Sequence, residues 1–185
     1  MTVSCIVIIA YHTIFTTYGT WLPNDPRGSY STAVYDAELQ ALGDVRYGRQ
    51  DPQPDRNTLR RFWTASRGRT SRRPFFIDDS TRPIIAGGFA RAVQLLTLTV
   101  RACAIMNDHV HLLSLRNEHR IEYVAGQFKA KATRALDLPQ TPWAKGSWKV
   151  FIEDNETIAS AARYIEMNPI KAGREPQHWE FVTPL

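Results

Sequence analysis

Apolar and polar positions sort most of this chain into strands and amphipathic helices. From Val3 to Thr17 the residues are mostly β-branched or aromatic (Val3, Ile6, Val7, Ile8, Ile9, Ile14, Phe15), which predicts a long central strand that stops at Tyr18-Gly19. Asp78-Asp79-Ser80 can cap a helix, and the recurrence of Ile84, Ile85, Phe89, Val93 and Leu96 predicts that helix over about 82–96. Residues 98–106 and 109–115 read as two strands joined by a tight turn at Asn107-Asp108. Ile121, Val124, Ala125, Phe128, Ala132 and Ala135 form one stripe of a second helix over about 118–136, and a short strand follows near 149–152. Asp154 or Asn155 caps a third helix, expected to stop near Asn168 because Pro169 disfavours helical geometry in the residue before it. This order of elements predicts an α+β fold, an antiparallel sheet with packed helices.

Length narrows the picture further. With 185 residues, 43% of them hydrophobic, the chain fits a single domain over 1–185 and is too short for an eight-stranded α/β barrel. Cys5 and Cys103 sit in apolar runs and do not form a C-x-x-C pair, so neither a disulfide framework nor a thiolate metal site is indicated. The apolar run from Val3 to Ala10 is too short to span a bilayer and has no basic leader, so a cytoplasmic, nucleoid-associated protein without a membrane partner is expected.

The formal net charge is +5, with only five lysines, so arginine carries the excess. Between 44 and 73 nine arginines face three aspartates, a local excess of +6 that exceeds the charge of the whole chain. This segment reads as a surface insertion, with one short helix near 56–66. A solvated loop would explain the charge alone. The interleaved Phe62 and Trp63 favour a phosphate-binding surface, made by Arg56, Arg60, Arg61, Arg67, Arg69, Arg72 and Arg73 together with Lys129, Lys131 and Arg134 of the second helix. Trp21 to Ser29, with two prolines and a glycine, reads as an ordered loop pinned by Trp21 and Leu22.

Two groups of residues can carry chemistry. In His109-Val110-His111 the imidazoles lie two apart on a strand and share a face, so both can converge on one divalent cation while Val110 enters the core. Taken alone, the pair reads first as two surface histidines and only second as metal ligands. On the third helix Ile158, Ala161, Ala162 and Ile165 form the apolar stripe, and Tyr164 and Asn168 lie about 40° apart beside it, one turn from each other. Tyr164 can offer a phenolate nucleophile and Asn168 a carbonyl oxygen. Packing and helix termination would account for them as well.

Together these blocks resemble a known family. Met106-Asn107-Asp108-His109-Val110-His111-Leu112-Leu113, then Trp143 to Trp148, then Arg163-Tyr164-Ile165-Glu166-Met167-Asn168-Pro169-Ile170-Lys171-Ala172-Gly173 are similar to the ordered signature of single-tyrosine HUH transposases. REP-associated tyrosine transposases and small insertion-sequence transposases are the nearest in pattern, over about 84–173. Thr17-Tyr18-Gly19-Thr20-Trp21-Leu22-Pro23 is also similar to one branch, whereas 44–73 matches no motif of the family. The resemblance implies a ferredoxin-like HUH fold. It implies a divalent metal, Mg²⁺ or Mn²⁺, held by His109, His111 and Asn168, and attack by Tyr164 on single-stranded, hairpin-forming DNA to give a 5′-phosphotyrosine. The protein would be a monomer or homodimer. A domesticated, non-cleaving DNA-binding protein of the same fold is the alternative. A zinc hydrolase is disfavoured because His12, His119 and His178 form no zinc signature with the pair, and an RNA-binding module because no RNP-like aromatic pattern is present.

Overall fold

The computed structural model describes residues 7–29, 31–34 and 36–185. Its elements run β1 (Ala10–Thr16), α1 (Ala37–Gln40), α2 (Arg56–Ser66), α3 (Thr81–Leu96), β2 (Val100–Ile105), β3 (His109–Leu115), α4 (Ile121–Ala135), β4 (Trp148–Ile152) and α5 (Asn155–Lys171). The chain divides into two compact units, one of Met1–Thr16 with Phe76–Leu185, the other of Thr17–Phe75.

In the first unit the four strands form an antiparallel sheet of order β2-β3-β1-β4. With one helix between β1 and β2 and another between β3 and β4, this is the split βαββαβ arrangement of ferredoxin-like folds. Strand alternation decides which side chains meet which helices. Phe15 of β1 meets Phe89 of α3 and Trp143 edge-on at centroid distances of 5.9 and 5.2 Å, and Phe89 meets Phe128 of α4 at 5.1 Å. The opposite face carries Ala10, Ala102, Ala104, Leu113 and Ile152, small enough for α5 to lie close through Ile158, Ala162 and Ile165. The C-terminal tail runs beside the β2 edge, where Thr183 donates its N–H to Val100. Among the described residues no helix is long and apolar enough to cross a membrane.

Three expectations change. β1 begins at Ala10, residues 7–9 form no strand, and the expected start at Val3 lies outside the described residues. Ile84 is exposed at 43%, and the buried residues of α3 are instead Ile85, Ala86, Gly88, Phe89, Ala92 and Leu96, because Gly88 lets α4 approach closely. The last helix runs through Pro169 to Lys171. Pro169 lacks the N–H for one intrahelical bond, and its ring is buried.

The second unit has a small core of Leu22, Leu39 and Phe62, with Val34, Leu42 and Trp63 against it. Asp25 is fully buried and takes a two-point bond from Arg27 at 2.9 and 2.7 Å, while that guanidinium lies 3.9 Å over the Trp21 ring. The arginine-rich stretch belongs to this unit, and Asp55 caps α2 by accepting the Thr58 N–H at 2.7 Å.

Candidate active site

β3 starts at His109, and alternation sends His109 and His111 to the face that α5 covers while Val110 is fully buried on the other. The two Nε2 atoms lie 3.1 Å apart. Behind them, His109 Nδ1 is 2.6 Å from the Asp108 carboxylate, and His111 Nδ1 is 2.9 Å from Nε2 of His12 on β1. Three imidazoles and a carboxylate thus form one line. The turn that starts β3 is fastened from α3: Arg82 donates to the Ile105 carbonyl at 2.9 Å and to the Asn107 side chain at 3.0 Å.

From α5, Tyr164 brings its ring to 5.6 Å from His111 and 6.1 Å from His12 while staying half exposed. The packing of Ile158, Ala162 and Ile165 fixes this approach, since Tyr164 projects from the edge of that stripe. Lys171, two turns on, holds its ammonium 5.7 Å from the Tyr164 ring centroid. Asn168 donates its Nδ2 to the Tyr164 carbonyl at 2.8 Å, leaving its amide oxygen as the atom it can offer. Among the described residues its side chain makes no hydrogen bond to either histidine.

Burial, followed by the proximity of His109 and His12, holds the His111 pKa far below the ordinary imidazole range, and burial lowers that of His12 to about 4. Both are therefore neutral at neutral pH, the form that keeps a lone pair for a cation. The donors fit a divalent ion. Two facing imidazole nitrogens 3.1 Å apart require a proton or a cation between them, and the Asp108 carboxylate keeps the His109 proton on Nδ1, so its Nε2 is bare. Imidazole suits Mn²⁺, whereas Mg²⁺ favours oxygen. Among the described residues no group of three His, Cys, Asp or Glu side chains is placed to hold a metal ion together.

The basic residues separate by surroundings. Arg56, Arg60, Arg61, Arg67, Arg73 and Arg134 are exposed and Lys131 is half-buried. Three others are engaged within the fold. Arg69 donates to the Ala65 and Glu38 carbonyls, and Arg72 lies 3.9 Å over the Tyr18 ring. Lys129 donates to the Ala144 carbonyl at 2.9 Å and to that of Gly146, and burial lowers its pKa to about 8.

His12 is the member of this cluster that sequence reasoning set aside. A lone histidine inside an apolar strand was its only signal, and only the β1–β3 register, His12 opposite Leu113 and Ile14 opposite His111, brings it diagonally to His111.

No protein-family profile and no curated protein sequence matches the chain. Among solved structures, a REP-associated tyrosine transposase bound to a REP hairpin superposes with a TM-score of 0.52 at 10% identity, covering 94% of this chain and 74% of that one. A transposase candidate from Deinococcus radiodurans R1 aligns at 15% identity with a TM-score of 0.37, over 90% of this chain and 95% of that one. The strand order, the helices on both faces and this superposition lead to one conclusion: the chain has the fold of a REP-associated tyrosine transposase, the family that its histidine and tyrosine motifs resemble.

Proposed function

We propose that this protein is a metal-dependent single-stranded DNA nuclease and strand transferase that acts on hairpin-bearing DNA through a 5′-phosphotyrosine. The observation that carries the reading is the approach of the Tyr164 ring to 5.6 Å from His111, whose Nε2 faces that of His109. A nucleophile and a pair of facing imidazoles stand together on the sheet face that α5 covers. The REP hairpin bound by the similar transposase supports DNA of this form as substrate.

His109 and His111, with the Asn168 amide oxygen as third ligand, would hold the divalent ion, Mn²⁺ or Mg²⁺. When bound, it supplies charge that polarises the scissile phosphate and offsets the charge developing on it. The chain's own residues do the rest. Tyr164, half exposed, gives up its phenolic proton to solvent, and its oxygen attacks phosphorus. A Tyr164–phosphorus bond forms, the bond from phosphorus to the 3′ oxygen breaks, and the released 3′ oxygen takes up a proton to become a free hydroxyl. Because one phosphate ester replaces another, attack by a 3′-hydroxyl reverses the step and joins strands. Lys171 places a positive charge beside the tyrosine ring, on the side where the negatively charged strand has to approach.

The exposed arginines of α2 supply phosphate contacts in this reading. α2 itself contains no acidic residue, so Arg56, Arg60 and Arg61 are not neutralised within their own helix.

Incubation with single-stranded hairpin DNA, labelled on the segment 3′ of the nick, in the presence of Mn²⁺ or Mg²⁺ tests the proposal. A denaturation-resistant protein–DNA adduct that requires the metal and maps to Tyr164 is expected. Tight DNA binding with no adduct under either metal would replace the proposal with a non-cleaving DNA-binding protein.

A further inference from the structure

We infer that His12 is a positioning residue that sets the tautomer and direction of His111, so that the His111 Nε2 lone pair faces the same point as that of His109. The inference rests on the metal reading proposed above and assigns a role in it to a residue outside the two motifs. His12 is buried, with 8% exposure, its Nε2 lies 2.9 Å from His111 Nδ1, and its ring is also next to Tyr164. A buried ring nitrogen is stabilised by a hydrogen-bond partner, and His111 Nδ1 is the one that His12 Nε2 meets.

Proton placement along the line gives the argument its content. The Asp108 carboxylate accepts only, so the His109 proton sits on Nδ1 and Nε2 is bare. With no cation, the 3.1 Å approach of the two Nε2 atoms is satisfied if His111 carries its proton on Nε2 and donates it to His109. His111 Nδ1 is then bare and accepts from His12 Nε2–H. Both bonds are made, and the site is closed to a metal. With a cation, His111 Nε2 must be bare, so its proton moves to Nδ1 and is donated to His12 Nε2. His12 must then carry its own proton on Nδ1. Each imidazole keeps one proton in both states, so the line switches from one hydrogen-bonded arrangement to the other without net proton release. An apolar residue at position 12 would leave His111 Nδ1–H buried and unpaired in the loaded state, penalising metal binding while leaving the strand intact.

Mn²⁺ alone is the probe, with affinity measured by calorimetry on the full chain. His12→Leu is expected to weaken Mn²⁺ binding by roughly 10- to 100-fold, the range for loss of a partner behind a metal-bound histidine. His12→Gln, whose amide oxygen can accept from His111 Nδ1–H, is expected to restore most of it. Wild-type affinity in a folded His12→Leu protein overturns the inference, provided that His111→Ala abolishes binding. If His111→Ala binds Mn²⁺ normally, the metal reading itself falls and the inference with it. Should His12→Leu fail to fold, nitrogen-15 NMR of the wild-type histidines decides the matter, using diamagnetic Zn²⁺ as the added ion. His12 and His111 are expected to shift from Nε2–H to Nδ1–H on loading, and an unchanged tautomer at His12 overturns the proposal.

Discussion

Tyr164 is half exposed and its hydroxyl supports no packing, so removing that one oxygen separates chemistry from folding. Tyr164→Phe is expected to reduce adduct formation to background while leaving the thermal midpoint within the narrow range typical of surface changes, about 0.5 kcal/mol in stability. Peptide mapping of the wild-type adduct checks the assignment, and an adduct on Tyr18 or Tyr123 would refute it. The three proposed ligands are unequal. His111 is 4% exposed and bonded on both nitrogens, whereas Asn168 is held by one bond to its own helix and can be replaced by water. His109→Ala and His111→Ala should therefore abolish Mn²⁺ binding and Asn168→Ala only weaken it, a difference that calorimetry reads directly. Of these residues, His109 with His111 and Tyr164 with Asn168 were legible in the sequence as pairs sharing a face, two apart on a strand and four on a helix, and only the resemblance of both blocks to one family singled them out as candidates. His12 was not, since its role depends on pairing with a strand ninety-nine residues away.

Among the elements, the α3–α4 crossing is the most exacting contact. A Cβ on Gly88 would come within 2.7 Å of the Ala132 Cα and 2.8 Å of its backbone nitrogen, atoms that cannot step aside. At Gly87, one residue away on the same helix, a Cβ meets nothing. Gly88→Ala is expected to destabilise by about 1–3 kcal/mol, the usual cost of overpacking, while Gly87→Ala stabilises by up to about 1 kcal/mol through helix propensity. Opposite shifts of the thermal midpoint are the expected result, and equal shifts would show that the helices do not cross here. α3 also shows why periodicity alone misplaced Ile84. A stripe chosen by hydrophobicity favours the two adjacent isoleucines, but the neighbouring helix selects the side with Gly88, where backbones can approach. At α5 a local rule lost to tertiary packing, because the buried Pro169 ring compensates for the single bond its missing N–H forgoes.

At the scale of the whole molecule, the positive charge lies unevenly. Five of the exposed arginines, Arg56, Arg60, Arg61, Arg67 and Arg73, belong to the Thr17–Phe75 unit. Replacing Arg56, Arg60, Arg61 and Arg67 with serine should lower affinity for single-stranded DNA and flatten its salt dependence, each lost phosphate contact removing about 0.7 from the slope of log affinity against log salt. An unchanged slope would assign the arginines to a solvated surface. DNA contacts would then be sought in the groove of about 780 Å³ between α4 and the segment after it, lined by Lys129, Arg134, Lys145 and Lys149. The Thr17–Phe75 unit was only half visible in sequence. Its arginines and prolines marked it as a surface insertion from 44, yet Leu22, Leu39 and Phe62, spread over forty residues, give it a core that begins much earlier.

The sequence by itself determined whatever is set by local periodicity and chemistry. The bounds of β3 and α2, the hairpin turn at Asn107-Asp108, the amphipathic stripe of α5, and the shared faces of His109 with His111 and of Tyr164 with Asn168 follow from residues a few positions apart. Only the tertiary structure decided which of these faces meet. The sheet order and the β1–β3 register join His12 to His111, and the small residues Ala102 and Ala104 let α5 lie against the face where the histidines stand, so that Tyr164 reaches them. Such contacts come from strand pairing and packing between distant segments, whose free energy depends on the whole arrangement and leaves no periodic trace in any short stretch of chain.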